Sequence, residues 1–142
     1  MWFLMLKCVI AAGLGFLVGL NRARLDKPCD SRDFALVSLG AAFFTLVALR
    51  ALTLFPNVEG AMAINALLRV VSNIVVGMGF LGGGIIYRTK NTAEGITTAA
   101  GLWVIAAVGT AVALGLYLEA VFVTLLIWIV FRLQLNVQRS KA

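Results

Sequence analysis

Apolar residues run along this chain in blocks of about twenty, broken by short polar segments that hold most of the charge. A bilayer core about 30 Å thick takes about 20 helical residues to cross, so the block length itself predicts membrane-spanning helices. The first block covers residues 1–20 and is interrupted only by Lys7, which is expected to snorkel from near a helix end. It carries Gly15 and Gly19 in a G-x-x-x-G spacing, which puts both on one helix face and favours close packing. Residues 21–33 form the most polar segment, with Arg22, Arg24, Lys27 and Arg32 among three aspartates and Pro28, and read as a loop.

Residues 34–55 predict a second span with Arg50 near its far end, and Pro56-Asn57-Val58-Glu59-Gly60 is a turn signal. Residues 61–68 read either as an interfacial helical turn or as the early part of the next helix. A third span starts near Arg69 and ends at Tyr87, followed by a polar, basic loop over residues 88–94. From residue 95 to 131 the only charge is Glu119. A helix of about 37 residues would be about 55 Å long, far more than the membrane needs, so the run must fold back. The place predicted is Gly115-Leu116-Tyr117-Leu118-Glu119, where glycine permits the turn and the carboxylate prefers the interface. The pattern gives an all-α, polytopic helical bundle of five transmembrane helices. Residues 1–135 are expected to form one membrane domain, and residues 136–142 a short basic tail with no soluble C-terminal domain. The N-terminus lacks a basic n-region and a convincing cleavage site, so the first run is expected to be a retained span.

Charge orients this bundle. With the loop at 21–33 inside, the inner side holds Arg22, Arg24, Lys27, Arg32, Arg88, Lys90, Arg132, Arg139 and Lys141. That leaves Lys7, Arg50 and Arg69 of the twelve basic residues for the outer half. The positive-inside rule then predicts an outside N-terminus and a cytoplasmic C-terminus. Composition agrees with the membrane reading: 62% of residues are hydrophobic and 13% charged, with a mean hydropathy of +1.02, against about 25% charged in ordinary soluble domains. The net charge of +6 does not point to nucleic acid, because the basic residues flank apolar runs rather than cluster on one exposed face.

The chain has no histidine, and Ser38 and Ser72 therefore have no imidazole base within the sequence. The aspartates sit in one loop rather than in facing spans. No enzyme, catalytic residue, cofactor or metal site is expected. Cys8 and Cys29 have neither the spacing nor the location of a metal pair or a disulfide.

Two segments stand out. Gly77, Gly79, Gly82, Gly83 and Gly84 crowd one apolar run, and Gly95 opens the next, just before Thr97 and Thr98. Small residues line helix contacts in membranes. Broken helices at membrane depth line cavities, so contact, helix break and hinge are all open readings of the cluster. Ala106, Thr110 and Ala113 continue a small-residue face, predicting that the third and fourth helices pack closely. Asn65, Arg69 and Asn73, four residues apart, form one polar stripe, costly against lipid. Arg22, Arg50, Asn65, Arg69, Asn73, Thr97 and Thr98 are the candidate functional polar residues. The partners expected are the lipid bilayer and either another membrane protein or a second copy of the chain.

The run Gly77-Met78-Gly79-Phe80-Leu81-Gly82-Gly83-Gly84, with Gly95-Ile96-Thr97-Thr98-Ala99-Ala100-Gly101-Leu102-Trp103 and Gly109 after it, resembles the MgtC/SapB family of bacterial membrane proteins. The likeness reaches most of the chain, more loosely through Gly15, Gly19, Leu20, Arg22 and Leu39-Gly40-Ala41. It departs at Asn21, where family members commonly have glutamate, at Asp30-Ser31-Arg32-Asp33, where they have G-L-R-T, and at Ala66, where many have aspartate. The resemblance implies a non-enzymatic, multi-pass protein of the bacterial inner membrane, linked to magnesium limitation, acid tolerance or virulence. It implies a modulator of a membrane transport or ATPase complex. The alternative is a small oligomeric transporter or channel with its pore through the glycine-rich third helix.

Overall fold

A computed structural model describes residues 2–23, 29–54, 60–89 and 92–139, apart from the side chains of residues 22, 23 and 134–139. It contains five helices, α1 (Trp2–Ala23), α2 (Ser31–Leu54), α3 (Gly60–Ile85), α4 (Ile96–Leu114) and α5 (Tyr117–Arg139). Between α3 and α4 lies a two-stranded antiparallel hairpin, β1 (Tyr87–Arg88) with β2 (Ala93–Glu94), pairing Tyr87 with Glu94 and Arg88 with Ala93. Among the described residues four helices, α1 to α4, are long and apolar enough to cross a membrane, and α5 completes an all-α membrane bundle. The turn signal at 56–59 and the centre of the 21–33 loop lie outside the described residues, as do Lys90 and Asn91. The backbone stays helical to Arg139, past the expected domain boundary at 135.

The start of α2 is set by its own polar residues. Asp30 accepts a hydrogen bond from the backbone N–H of Arg32 at 2.7 Å, and Asp33 accepts one from the backbone N–H of Asp30 at 2.9 Å. This reciprocal pair is a capping box, satisfying two of the backbone donors that a helix start leaves free. The stretch that read as loop up to Asp33 is therefore already helical from Ser31. Residues 61–68 also resolve to one of their two readings: α3 runs unbroken from Gly60, so they are its first turns.

The fold-back after α4 falls where glycine predicted it. Gly115 has φ 89°, in the left-handed region that only glycine adopts without strain. Its N–H donates to Val112 O at 3.1 Å and that of Leu116 to Ala111 O at 2.9 Å, the two bonds of a Schellman motif.

α4 is the axis of the bundle. It is apolar around its whole circumference, as a helix surrounded by others must be, and eleven of its nineteen residues are buried. It touches all four other helices. Two features let it come close. Gly109 lies so near the backbone of Ser38 on α2 that a side chain there would collide with the Ser38 carbonyl. Gly101 leaves room for the ring of Phe131, which meets Phe34 edge-on with centroids 6.0 Å apart. On the other side of α2, Gly15 sits against the Phe34 carbonyl and, for any added Cβ, 2.9 Å from the Ser38 Cβ. The G-x-x-x-G of α1 thus packs on α2, with Gly19 against Ser31.

Candidate functional site

The core is built by α1, α2, α4 and α5, and α3 stands to one side of it. Only Met78 and Gly82 of α3 are buried. Between α2 and α3 an apolar groove of about 620 Å³ is left open, lined by Val37, Gly40 and Phe44 on one wall and Asn73, Gly77 and Leu81 on the other. Between α3 and α4 there is a second cavity of about 250 Å³, bounded by Ile74, Met78, Trp103, Ala106 and Thr110. Ile74 and Met78 line both spaces, so they form the ridge along which α3 rests on the bundle.

This geometry decides among the readings of the glycine cluster. The helix is continuous through Gly82, Gly83 and Gly84 to Ile85, so the helix-break reading is not realised. Gly82 alone meets the neighbouring helix, with Ala99 Cβ 3.4 Å from where its own Cβ would stand. Gly77, Gly79, Gly83 and Gly84 have open space where a Cβ would go. The third and fourth helices pack closely, as expected, with Gly82 against Ala99 and Met78 buried. Further along, the small face of Ala106 and Thr110 leaves the cavity instead, because small side chains on α4 are not matched by an approach of α3.

Gly95 ends the loop before α4 with φ 84° and lies against the Ile85 carbonyl, closing the connection between the two helices. It occupies the N-cap position without a side-chain hydrogen bond. Thr98 is fully buried and Thr97 half-buried at this start. The hairpin below is tied by Tyr87, whose hydroxyl donates to Glu94 at 2.9 Å. That bond, and the carboxylate charge behind it, hold the phenol above its ordinary pKa.

The polar stripe of α3 is exposed throughout: Asn65, Arg69 and Asn73 all lie on the uncovered side, Asn73 at the rim of the groove. Among the described residues none of the three has a hydrogen-bond or ion-pair partner. Arg50 is exposed as well and donates to Thr53 at 3.4 Å. Neither arginine reaches Glu119, and the ion pair found among the described residues is Arg32 with Asp30 at 3.2 Å. The side chain of Arg22 lies outside the described residues. The candidate polar residues therefore divide: Asn65, Arg69 and Asn73 share the bare face of α3, Thr97 and Thr98 belong to the inner joint between α3 and α4, and Arg50 stands at the end of α2.

Three contacts escaped the sequence. Lys7 does not snorkel; its ammonium donates to the carbonyl of Ala113 at 2.6 Å, at the C-terminus of α4. Asn21 donates from Nδ2 to the carbonyl of Trp128 at 3.3 Å, tying the end of α1 to α5. An ionised carboxylate at that position has no proton to donate, so the departure at Asn21 has a structural use. Ser38 is buried without a hydrogen-bond partner for its hydroxyl among the described residues, held between Gly15 and Gly109. The only hint in the sequence was small residues at helical spacing. Nothing there said which helix each would meet.

Among the described residues no three histidine, cysteine, aspartate or glutamate side chains come together as a metal site.

Comparison with known proteins bears on the whole chain. The model of the MgtC family matches residues 8–140. Protein SrpB of Synechococcus elongatus is 37% identical over 131 residues, covering 84% of this chain and 70% of SrpB. Protein SapB of Bacillus subtilis is 33% identical over 118 residues, 82% of this chain and 50% of SapB. Protein MgtC of Salmonella typhimurium is 35% identical over 122 residues, 86% of this chain and 48% of MgtC. The chain thus spans about half the length of SapB and MgtC. No solved structure matches it.

Proposed function

The chain belongs to the MgtC family, and from that premise we propose that it is a non-enzymatic, multi-pass protein of the bacterial inner membrane that binds and modulates a transport or ATPase complex. The observation that carries this reading is the exposure of α3. A helix apolar enough to span a bilayer keeps one side bare, with Asn65, Arg69 and Asn73 on it, unpartnered among the described residues, and an open groove beside it. Polar side chains in spans are costly toward lipid and are used where they meet protein or water. That is the form of a binding surface within the membrane.

The up-and-down order of the helices supports an outside N-terminus and a cytoplasmic C-terminus, since it gathers the basic residues 22, 32, 88 and 132 at one end. Magnesium limitation, acid tolerance or life in a host is the setting that the family resemblance supplies. The rival reading is a small oligomeric channel through the glycine-rich helix. An unbroken α3, with Gly82 against α4 and Gly77, Gly79, Gly83 and Gly84 facing outward, supports contact over passage.

Two measurements test this. Purification from native membranes is expected to bring down a membrane ATPase or transporter. Purified protein in liposomes is expected to pass no ions. Solute flux that is abolished by Gly83→Leu would replace modulation with the channel.

A further inference from the structure

Among the described residues, the groove between α2 and α3 has one polar side chain in its lining, that of Asn73. Asn73 lies well inside the membrane. Tyrosines gather at membrane interfaces, and with Tyr87 at one of them a hydrocarbon core of about 30 Å ends within a turn of Arg69. Asn73 is then about 9 Å below that boundary, where an amide is costly without a hydrogen bond. Among the described residues it has none. Arg69 stands one turn nearer the boundary on the same face, exposed and likewise without a partner among the described residues. Side chains lean toward the start of their helix, so both reach toward the membrane surface at the Gly60 end.

Beyond Asn73 the groove is bare. Gly40 on α2 and Gly77 on α3 line it, and each has open space where a Cβ would stand. Leu36 and Leu81 line its far end. From Val70 to Leu81 the groove runs about 16 Å, half of the hydrocarbon core, which is the depth of one lipid leaflet. Its volume of about 620 Å³ over that length is a cross-section of about 40 Å², half of the about 80 Å² that a helix 10 Å across occupies. The slot is too narrow for another helix and wide enough for extended hydrocarbon chains.

We propose that this groove holds a phospholipid from the leaflet at the Gly60 end. Its phosphate meets the Arg69 guanidinium, an ester carbonyl accepts from the Asn73 amide, and an acyl chain lies between Gly40 and Gly77. The proposal rests on residence in the membrane alone, not on which complex the protein modulates. The groups along α3 (a cation, an amide donor, a bare glycine, a leucine) follow the order of groups along the lipid. A guanidinium binds phosphate by paired, charge-assisted hydrogen bonds. A carboxamide donates to an ester carbonyl, which has no proton of its own. An apolar helix exceeds the width of the slot and leaves both Arg69 and Asn73 unmatched. The rest of the α3 face, Asn65 included, stays free for a protein partner.

Native mass spectrometry of the full chain tests the site, with the protein stripped of lipid in detergent and titrated with phosphatidylglycerol. Saturable addition of one lipid mass is expected. Arg69→Gln and Asn73→Leu are each expected to weaken it several-fold, and Arg69→Lys, which keeps the charge, to weaken it less. Gly77→Phe fills the slot and is expected to abolish the adduct. Gly79→Phe, at an equally open glycine of α3 outside the groove, is expected to leave it unchanged. No adduct on the wild-type chain overturns the proposal, as does an adduct that survives both Arg69→Gln and Asn73→Leu. Equal losses in Gly77→Phe and Gly79→Phe overturn it too, as does a bound polypeptide that Gly77→Phe releases in place of lipid. Arg69 and Asn73 are exposed, so their variants decide the matter even if Gly77→Phe does not fold. Loss of the lipid leaves co-purification of an ATPase as a separate result, so the two readings fail independently.

Discussion

The ammonium of Lys7, on the first helix, donates to the carbonyl of Ala113 at the end of the fourth, 2.6 Å away and 106 positions along the chain. A helix C-terminus leaves its last carbonyls free and carries partial negative charge. The Schellman turn satisfies Ala111 and Val112, and Lys7 takes the next one. The ring of Phe3 lies 5.2 Å from the same ammonium and shields it from the other side. A charged residue in an apolar run is here a cap for a distant helix.

Removing that cap has a definite expected cost. Lys7→Met keeps the length and apolar stem but leaves Ala113 without its donor, and hydrogen bonds to charged groups contribute about 1.5–3 kcal/mol. Thermal unfolding in detergent is expected to show a loss of that order, with Lys7→Arg recovering part of it. Unchanged unfolding in Lys7→Met would mean that the lysine merely snorkels.

Gly109 and Gly77 are expected to respond to alanine with opposite signs. At Gly109 the added methyl meets the Ser38 carbonyl, and overpacking of a closed site costs about 1–3 kcal/mol. At Gly77 the space is open, and alanine in a helix is favoured over glycine by about 1 kcal/mol. Equal effects in a thermal assay would show that the two helices are not packed as described.

The tie between Asn21 and Trp128 depends on an amide proton. Asn21→Glu, which removes the donor, is expected to release α5 near Trp128 and raise amide exchange there. Asn21→Gln, which keeps the donor, is expected to have a smaller effect. Identical exchange in the two variants would remove the tie.

The capping box of α2 gives a pH dependence with a definite sign. The backbone N–H of Arg32, and its guanidinium, hold the Asp30 carboxyl below the ordinary aspartate value of 3.8. A lowered pKa in the folded state contributes stability above the unfolded value, which is lost as pH falls through the folded one. The start of α2 is therefore expected to fray below about pH 4, as read by exchange of the Arg32 amide. Asp30→Asn, still a good N-cap, is expected to remove the pH dependence, and Asp30→Ala to fray at all pH values. A pH response that survives in Asp30→Asn would assign it elsewhere.

Much of this architecture was legible in advance because membranes make it local. Block length set the number of helices, and Gly115 with Glu119 marked the fold-back, since a left-handed cap is a property of a few adjacent residues. The capping box was written in Asp30 and Asp33 but was masked by the aspartates' likeness to loop residues, so α2 began earlier than expected. The glycine cluster misled in another way. Small residues say that a backbone is bare, and they do not say what lies opposite. In this chain the tightest approaches belong to Gly15, Gly19, Gly95, Gly101 and Gly109, while Gly77, Gly79, Gly83 and Gly84 face open space.

By itself the sequence determined a helical membrane protein, its basic end, its family resemblance and the polar stripe on its third helix. These follow from hydropathy, charge and helical periodicity, each set within one segment. Only the tertiary structure decided that α4 is the axis, that Lys7 and Asn21 tie helix ends together, and that α3 presents its stripe outward beside an open groove. Those relations join residues up to 107 positions apart, and in a bilayer, where every helix is apolar, hydropathy does not distinguish the side that meets protein from the side that meets lipid.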